Sequence, residues 1–377
     1  MKQNLKNIFL GSFFITFSGV MLTLFLPLYL KEKGLTILEI GALLTVGLAL
    51  GGFIFSVFYS KFLMKTKLKI GLNLSSLFAF LQSFVIFIFL SSFGALISNF
   101  VNVFTNASSS ISQDVAIQHN VPKNKHRLIS SLYLVIGSLG LLSGIIVAYF
   151  ILKNIGFRYG FLTFAIVALL SMYFYSKVHD KTRFRLKKKT KLPKITFNLK
   201  LVLFSELIYW FALSSSSSLV VTFLVTDLFK GSSFWIAGLF AGLHFSIVIT
   251  TILTYKYFDK FNLVKTSIIG MFIILLSALL VIFSKSIYFV LVAMILEGIG
   301  AAIWVPSKSA FYWKLIKPEN REKISGYLFG WRGMTNALGP LMGGFLAFYF
   351  GILAPFYFKM IIAFLVILIY FYVLRKT

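Results

Sequence analysis

Charged residues along this chain are gathered into short clusters, and long apolar blocks separate them. The stretch Thr266–Ser284, TSIIGMFIILLSALLVIFS, carries no charge at all. An α-helix needs about 20 such residues to cross the ~30 Å hydrocarbon core of a bilayer. Breaks at loop residues and charges divide the chain into twelve blocks, at roughly 8–30, 37–59, 70–90, 94–117, 128–151, 157–176, 200–226, 234–257, 266–284, 286–313, 324–349 and 354–374. The blocks are continuous, whereas the strands of an outer-membrane barrel alternate apolar and polar over about ten residues. The pattern predicts an all-α integral membrane protein with twelve transmembrane helices. The first block follows a short segment with Lys2 and Lys6, and no small-residue cleavage site comes after it. It reads as a spanning helix and not as a removed signal peptide.

The 377 residues are 59% hydrophobic and 12% charged, about half the ~25% charged residues of a soluble domain. The net charge of +27 taken alone would suggest a nucleic-acid partner. Its distribution points elsewhere. With the N-terminus on the cytoplasmic side, 28 Lys and Arg residues fall on that side. Only six (Lys31, Lys33, Lys153, Arg158, Lys230 and Lys285) fall on the other. The positive-inside rule then places both termini in the cytoplasm of a multi-pass cytoplasmic-membrane protein. The charge follows from topology, and no nucleic acid is expected. The absence of cysteine excludes disulfides and cysteine-ligated metal. The sequence offers no metal-ligand cluster, phosphate loop or nucleophile–base constellation, so neither a metal, a cofactor nor an enzymatic activity is expected.

The longest hydrophilic stretch, SKVHDKTRFRLKKKTKLPK at 176–194, divides the helices six and six. The expected organisation is a first half over 1–176, a basic cytoplasmic linker over 177–199 and a second half over 200–377. The linker reads either as a loop obeying the positive-inside rule or as a contact, over 177–200, with anionic lipid headgroups. The halves resemble each other. Pro122 and Pro318, Asn124 and Asn320, and Gly137 and Gly333 all stand 196 residues apart. Repeats of six helices place a transporter's substrate site at the midplane between the halves.

The loops after helices two and eight read YSKFLMK (59–65) and FDKFNLVK (258–265). Through these loops and the repeat, the chain resembles the major facilitator superfamily over essentially its whole length. The loop motif of that family is a glycine, an acid, a base, a second glycine and further basic residues. Asp259, Lys260 and Lys265 fit it, with Asn262 in the second glycine's place. Asn tolerates left-handed geometry better than other non-glycine residues. In the first half only Lys61 and Lys65 remain, with Ser60 and Leu63 in place of the acid and the glycine. The resemblance implies that this motif helps lock the gate between the halves. The Gly-Pro-x-x-Gly-Gly pattern of the family's drug antiporters is missing from helix five, which reads GSLGLLSG (137–144). GPLMGG (339–344) occurs in helix eleven instead. The helix-four arginine of those antiporters is also absent.

Strongly polar residues inside spans are costly and usually functional. They are Glu206 in helix seven, His244 in eight, Glu297 and Lys308 in ten, and Arg332 in eleven. The resemblance puts these helices around the central cavity. Lys359 reads as lying near the outer end of helix twelve. At about 100° per residue, Glu297, Ala301, Trp304 and Lys308 form one stripe. Glu297 falls near the midplane, and Arg332, with Asn336 one turn further on, is its expected partner in at least one state. Whether that pair serves transport or only structure stays open. Lys308 lines the cavity or snorkels to the interface. Glu206 and His244 could relay protons, with Trp210 walling the same cavity. Alternatively, Glu206 pairs with Lys200 and His244 simply packs. Asn99, Asn102 and Asn106 share a face of helix four, suited to a neutral polar solute or to helix–helix bonding. The serine run Ser214–Ser218 permits close packing or a break in helix seven.

The expected function is secondary active transport of a small organic solute by a monomer, coupled to protons or another ion, with a lean to efflux. An importer of a sugar, amino acid or organic anion, and a non-transporting receptor of the same fold, are the alternatives.

Overall fold

The computed structural model describes residues 2–49, 55, 58–59, 62, 66–120, 126–179, 197–258, 262–316 and 321–376. Twelve helical segments follow one another: α1 (Gln3–Glu32), α2 (Ile37–Ala49), α3 (Leu68–Ile88), α4 (Ser92–Asn120), α5 (His126–Asn154) and α6 (Phe157–Ser176) in the first half. The second half holds α7 (Phe197–Leu228), α8 (Ser233–Phe258), α9 (Leu263–Ile282), α10 (Ile287–Leu315), α11 (Arg321–Phe350) and α12 (Ala354–Lys376). Among the described residues, nine are long and apolar enough to cross a membrane, all but α2, α4 and α11. Asn and Ser residues make α4 polar, and glycines and Arg332 do the same for α11. Several helices run past the expected blocks. Hydropathy marks the hydrocarbon crossing, and a helix continues into the polar region as long as its residues allow.

The two halves repeat one packing scheme. In the first, α1 packs on α5 and α6, α3 on α4 and α6, and α2 on α4. In the second, α7 packs on α11 and α12, α9 on α10 and α12, and α8 on α10. Each contact maps onto its counterpart by adding six to the helix numbers. The halves meet where α2 packs on α11 and where α5 packs on α8, contacts that the same operation exchanges. The repeat-related glycines share an environment too. A Cβ on Gly333 would meet nothing within 4 Å, and one on Gly137 would meet only Thr16 Cγ2 at 3.9 Å.

The buried apolar residues are not evenly distributed. The largest cluster lies at the end opposite the two termini and draws on both halves, with Val20–Leu22, Leu24–Leu26 and Leu28–Leu30 of α1, Leu219–Val221 and Phe223–Val225 of α7, Ile40 of α2 and Ile236 of α8. At the terminal end, buried residues sort into clusters that each stay within one half. One joins Ile8, Leu72, Ile111 and Tyr175. The others join Val202, Met271, Phe311 and Tyr370 and Leu199, Ile316 and Ile324. Small residues bring the halves close at the opposite end. A Cβ on Gly41 of α2 would stand 2.5 Å from the Pro340 carbonyl oxygen, and one on Gly344 would stand 2.7 Å from that of Ile37. The Leu341 amide donates to Thr45 Oγ1 at 3.0 Å.

Candidate functional site

Three helices of the second half place one carboxylate between two cations. Glu206 is ten residues into α7 and fully buried. Lys308, near the terminal end of α10, and Arg332 of α11 both donate to its Oε1. The Trp210 indole, one turn along α7, donates to the same oxygen at 3.2 Å. Oε2 is buried and, among the described residues, has no hydrogen-bond partner. Rise along the helices puts Glu206 and Arg332 roughly 14–17 Å from the terminal ends of α7 and α11, which is well inside the bilayer. A buried carboxylate costs several kcal/mol unless ion pairing offsets its lost hydration.

Aromatic faces surround the cations. The Lys308 ammonium lies 4.3 Å from the Trp304 ring centre and 5.5 Å from that of Trp210. The Arg332 guanidinium lies 5.2 Å from the Trp210 ring. Indoles favour cations over their faces, most strongly where water is excluded. Lys308 is 1% exposed, whereas Arg332 keeps 20% of its side chain exposed. The cluster therefore has one accessible edge, made by Arg332 and the half-buried Trp210.

A second buried ion pair lies further from the terminal end. Glu297 of α10 accepts from Lys359 of α12 at 2.5 Å. Both are almost fully buried. The expected Glu297–Arg332 pair is therefore corrected: Arg332 belongs to Glu206 and Glu297 to Lys359. On the helical stripe of α10, Lys308 lies against the Trp304 ring. Lys359 was missed, because depth along α12 says nothing about the direction its side chain takes. Tyr209 bridges the two ion clusters, stacking edge-on to Trp304 with ring centres 4.7 Å apart and lying within electrostatic reach of Glu297. Lys308 does not snorkel, and Glu206 holds Lys308 and Arg332 where Lys200 was one expectation.

The remaining candidates are dispersed. Nδ1 of His244 on α8 is buried with no hydrogen-bond partner among the described residues, and so are Asn99 Nδ2 on α4 and Asn336 Oδ1 on α11. The Asn336 carbonyl accepts from Ser214 Oγ at 2.7 Å. Asn106 donates to Asn102 at 3.1 Å, and Asn106 is exposed. Asp259, Lys260, Lys61 and Lys65 of the loop motif lie outside the described residues. Asn262 is described, and its backbone is extended (φ −62°) where a left-handed turn was expected. Its side chain instead caps α9, accepting from the Val264 and Lys265 amides at 2.9 and 3.3 Å. An Asn that accepts from the N2 and N3 amides satisfies two otherwise orphaned donors, which fixes its conformation. The serine run does both things expected of it. Helix α7 breaks between Ser215 and Ser218, and Cβ atoms on Gly339 and Gly343 of α11 would fall 2.3 Å from Ser214 Cβ and 2.0 Å from the Ser215 carbonyl oxygen.

Comparison with known proteins gives a consistent result. The profile of the Major Facilitator Superfamily matches residues 8–263 and 231–377. A curated relative, Multidrug resistance protein 2 of Bacillus subtilis (strain 168), is 29% identical over 139 residues, 37% of this chain and 34% of the relative. The match thus spans about a third of that relative's length. Among solved structures, the human organic anion transporter MFSD10 (TETRAN) superposes with a TM-score of 0.77 at 14% identity, covering 98% of this chain and 99% of the other. A bacterial homologue of the iron transporter ferroportin in an outward-facing state gives 0.73 at 13% identity, covering 99% of each. FucP, in its outward conformation, gives 0.71 at 13%, covering 98% of each. At these identities the likeness shows the fold alone.

Proposed function

The chain belongs to the Major Facilitator Superfamily, and we propose that it is a proton-coupled secondary active transporter that exports a small organic solute across the cytoplasmic membrane by alternating access. One observation carries the reading. A fully buried carboxylate, Glu206, is shared by Lys308 and Arg332 from two other helices, and the cluster keeps one accessible edge. A charged group deep in a bilayer is retained at a cost, and it usually marks a substrate or proton pathway. Glu206 is the proposed proton site, since binding a proton there would release both cations. His244, Asn99 and Asn336, each with an unpartnered buried polar atom, supply further polar lining. Glu297 is assigned to a structural pair with Lys359.

The direction proposed is export, and it rests on the partial match to a multidrug resistance protein. The proposed topology has both termini in the cytoplasm, from the 28-to-six division of Lys and Arg. In that topology the described apolar clusters join the halves on the outer side and stay within each half on the cytoplasmic side. Such an arrangement fits a site reached from the cytoplasm.

The test is solute-driven proton movement in proteoliposomes carrying an internal pH-sensitive dye, challenged with a pooled solute library. The expected result is a solute-dependent signal in the wild type that Glu206→Gln abolishes and the paired replacement of Glu297→Gln with Lys359→Met keeps. Silence from every pool in the wild type would overturn proton-coupled transport. A signal unaffected by Glu206→Gln would move the proton site elsewhere.

A further inference from the structure

We propose that the groove between α7 and α12, on the lipid-facing wall of the second half, holds one anionic phospholipid of the cytoplasmic leaflet. The proposal takes from the transport reading only the topology, and it needs neither the substrate nor the coupling ion. Phe197, Leu201, Phe204 and Ile208 recur at spacings of three and four, so they share one face of α7. With Leu365 and Tyr372 of α12 they line a cavity of about 450 Å³ in which every lining side chain is Phe, Leu, Ile or Tyr. Phe197, Phe204 and Leu365 are exposed. The depth of the groove follows from α12. Leu365 stands eleven residues from either end of that helix, which puts it at the middle of the membrane. Arg375 is ten residues further on, roughly 15 Å at 1.5 Å per residue, or half of a ~30 Å hydrocarbon core. The groove thus runs from the midplane to the interface, the reach of one acyl chain. Its terminal end is marked by the Phe197 and Tyr372 rings, edge to face with centres 6.4 Å apart, at the headgroup level where amphipathic rings such as tyrosine gather.

The charge at that end selects the headgroup. Lys200 stands one turn before Phe204 on α7, and Arg375 stands three residues beyond Tyr372 on α12. Both are exposed, and among the described residues neither enters an ion pair. No acidic residue occurs in α12, and the first in α7 is Glu206. Glu206 is buried, about 170° around the helix from the groove, and is held by Lys308 and Arg332. An apolar groove that ends in these two cations fits an acyl chain carrying a phosphate diester. A zwitterionic headgroup brings its own ammonium to the same place and loses the advantage. A second copy of the chain fits worse. A twofold contact through this face would set Lys200 and Arg375 of both copies against each other at one depth. The bound lipid also braces α7 against α12 on the side away from Glu206.

The test is lipid binding to the full chain in maltoside detergent, with dioleoylphosphatidylglycerol against dioleoylphosphatidylcholine, read by native mass spectrometry and by thermal unfolding. The expected result is one phosphatidylglycerol retained at lipid concentrations that leave phosphatidylcholine unbound, with a higher thermal midpoint. A cation beside an anionic headgroup is worth about fivefold in affinity, so Lys200→Gln with Arg375→Gln should weaken phosphatidylglycerol by roughly ten- to thirtyfold, to the level of phosphatidylcholine. Lys67→Gln with Lys265→Gln removes the same charge from the same side, at exposed positions that do not line the groove, and should leave binding unchanged. Leu201→Trp fills the groove and should release the lipid while both cations stay. Glycerol phosphate carries the phosphate without the chains and should not shift the midpoint. The two double variants alter only exposed side chains, so they decide the matter if Leu201→Trp does not fold. Equal retention of the two lipids, equal weakening by both double variants, or a shift by glycerol phosphate matching the lipid's would overturn the proposal. So would a dimer that Leu201→Trp dissociates, which would give the groove to a second copy. Lipid binding is read without flux, so silent proteoliposomes would leave this site standing, and a solute-dependent signal would not rescue it.

Discussion

Buried ion pairs punish the loss of one partner more than the loss of both. Lys359 and Glu297 are each nearly inaccessible. Removing one cation leaves a carboxylate with no hydration and no partner, at a cost of about 3–5 kcal/mol. Lys359→Met is therefore expected to lower the thermal midpoint of the detergent-solubilised protein sharply. Lys359→Met with Glu297→Gln should recover most of the loss, because two neutral side chains of similar volume then fill the space. A double variant as unstable as the single one would mean that packing, and not charge, holds this position. The same pair marks the limit of reading residues one helix at a time. Glu297, Lys308, Arg332 and Glu206 could all be picked out, because a charge in an apolar block is conspicuous. Their partnerships could not, since pairing depends on the rotation of each helix about its axis and on which helices are neighbours. Lys359 sits five residues into α12 and looked like an interfacial residue, yet its long side chain reaches inward to α10.

At the scale of elements, small residues set how closely helices approach. The carbonyl oxygen of Ser215 would lie 2.0 Å from a Cβ on Gly343, so backbone meets backbone between α7 and α11. Gly333, on the same helix, has open space around it. Gly343→Ala is expected to reduce folded protein in a fluorescence-detected size-exclusion profile. Gly333→Ala should be neutral or stabilising by up to about 1 kcal/mol, as helix propensity alone dictates. Equal behaviour of the two would refute the close approach. The cap on α9 gives a milder case. Asn262→Ala removes an acceptor for two amides and should cost about 0.5–2 kcal/mol in thermal unfolding, with Asn262→Asp close to wild type. At this scale the sequence was informative. Hydropathy blocks located all twelve helices, and the serine run announced both a break and a close packing. The backbone of Asn262 differs from the left-handed turn that the loop motif implied, because its side chain caps α9 instead.

For the whole molecule, one further pair reports on the relation between the halves. Lys31 at the end of α1 donates to Asp227 and Thr226 at the end of α7, and its ammonium lies 4.5 Å from the Phe223 ring centre. Residues 31 and 227 are 196 apart, the same offset that relates the two halves. Positions related by a twofold repeat can touch only beside its axis, so this pair sits where the halves close against each other. Asp227 keeps 55% of its side chain exposed, and an ion pair in such a setting is worth at most about 1 kcal/mol. That is too little to affect folding, but a change of ~1 kcal/mol shifts a two-state equilibrium about fivefold. The chain has no cysteine, so a single introduced thiol gives a clean reading. Leu24→Cys, at a position 5% exposed in the shared core, is expected to react slowly with a membrane-impermeant maleimide. Adding Lys31→Ala or Asp227→Ala should raise that rate by roughly two- to fivefold. The exchanged pair Lys31→Asp with Asp227→Lys should bring it back down. Gly41→Ala should raise it further, since its Cβ would stand 2.5 Å from the backbone oxygen of Pro340, which can retreat only if α2 and α11 separate. Rates unchanged by all of these substitutions would mean that this end does not open and that the halves do not exchange access around it.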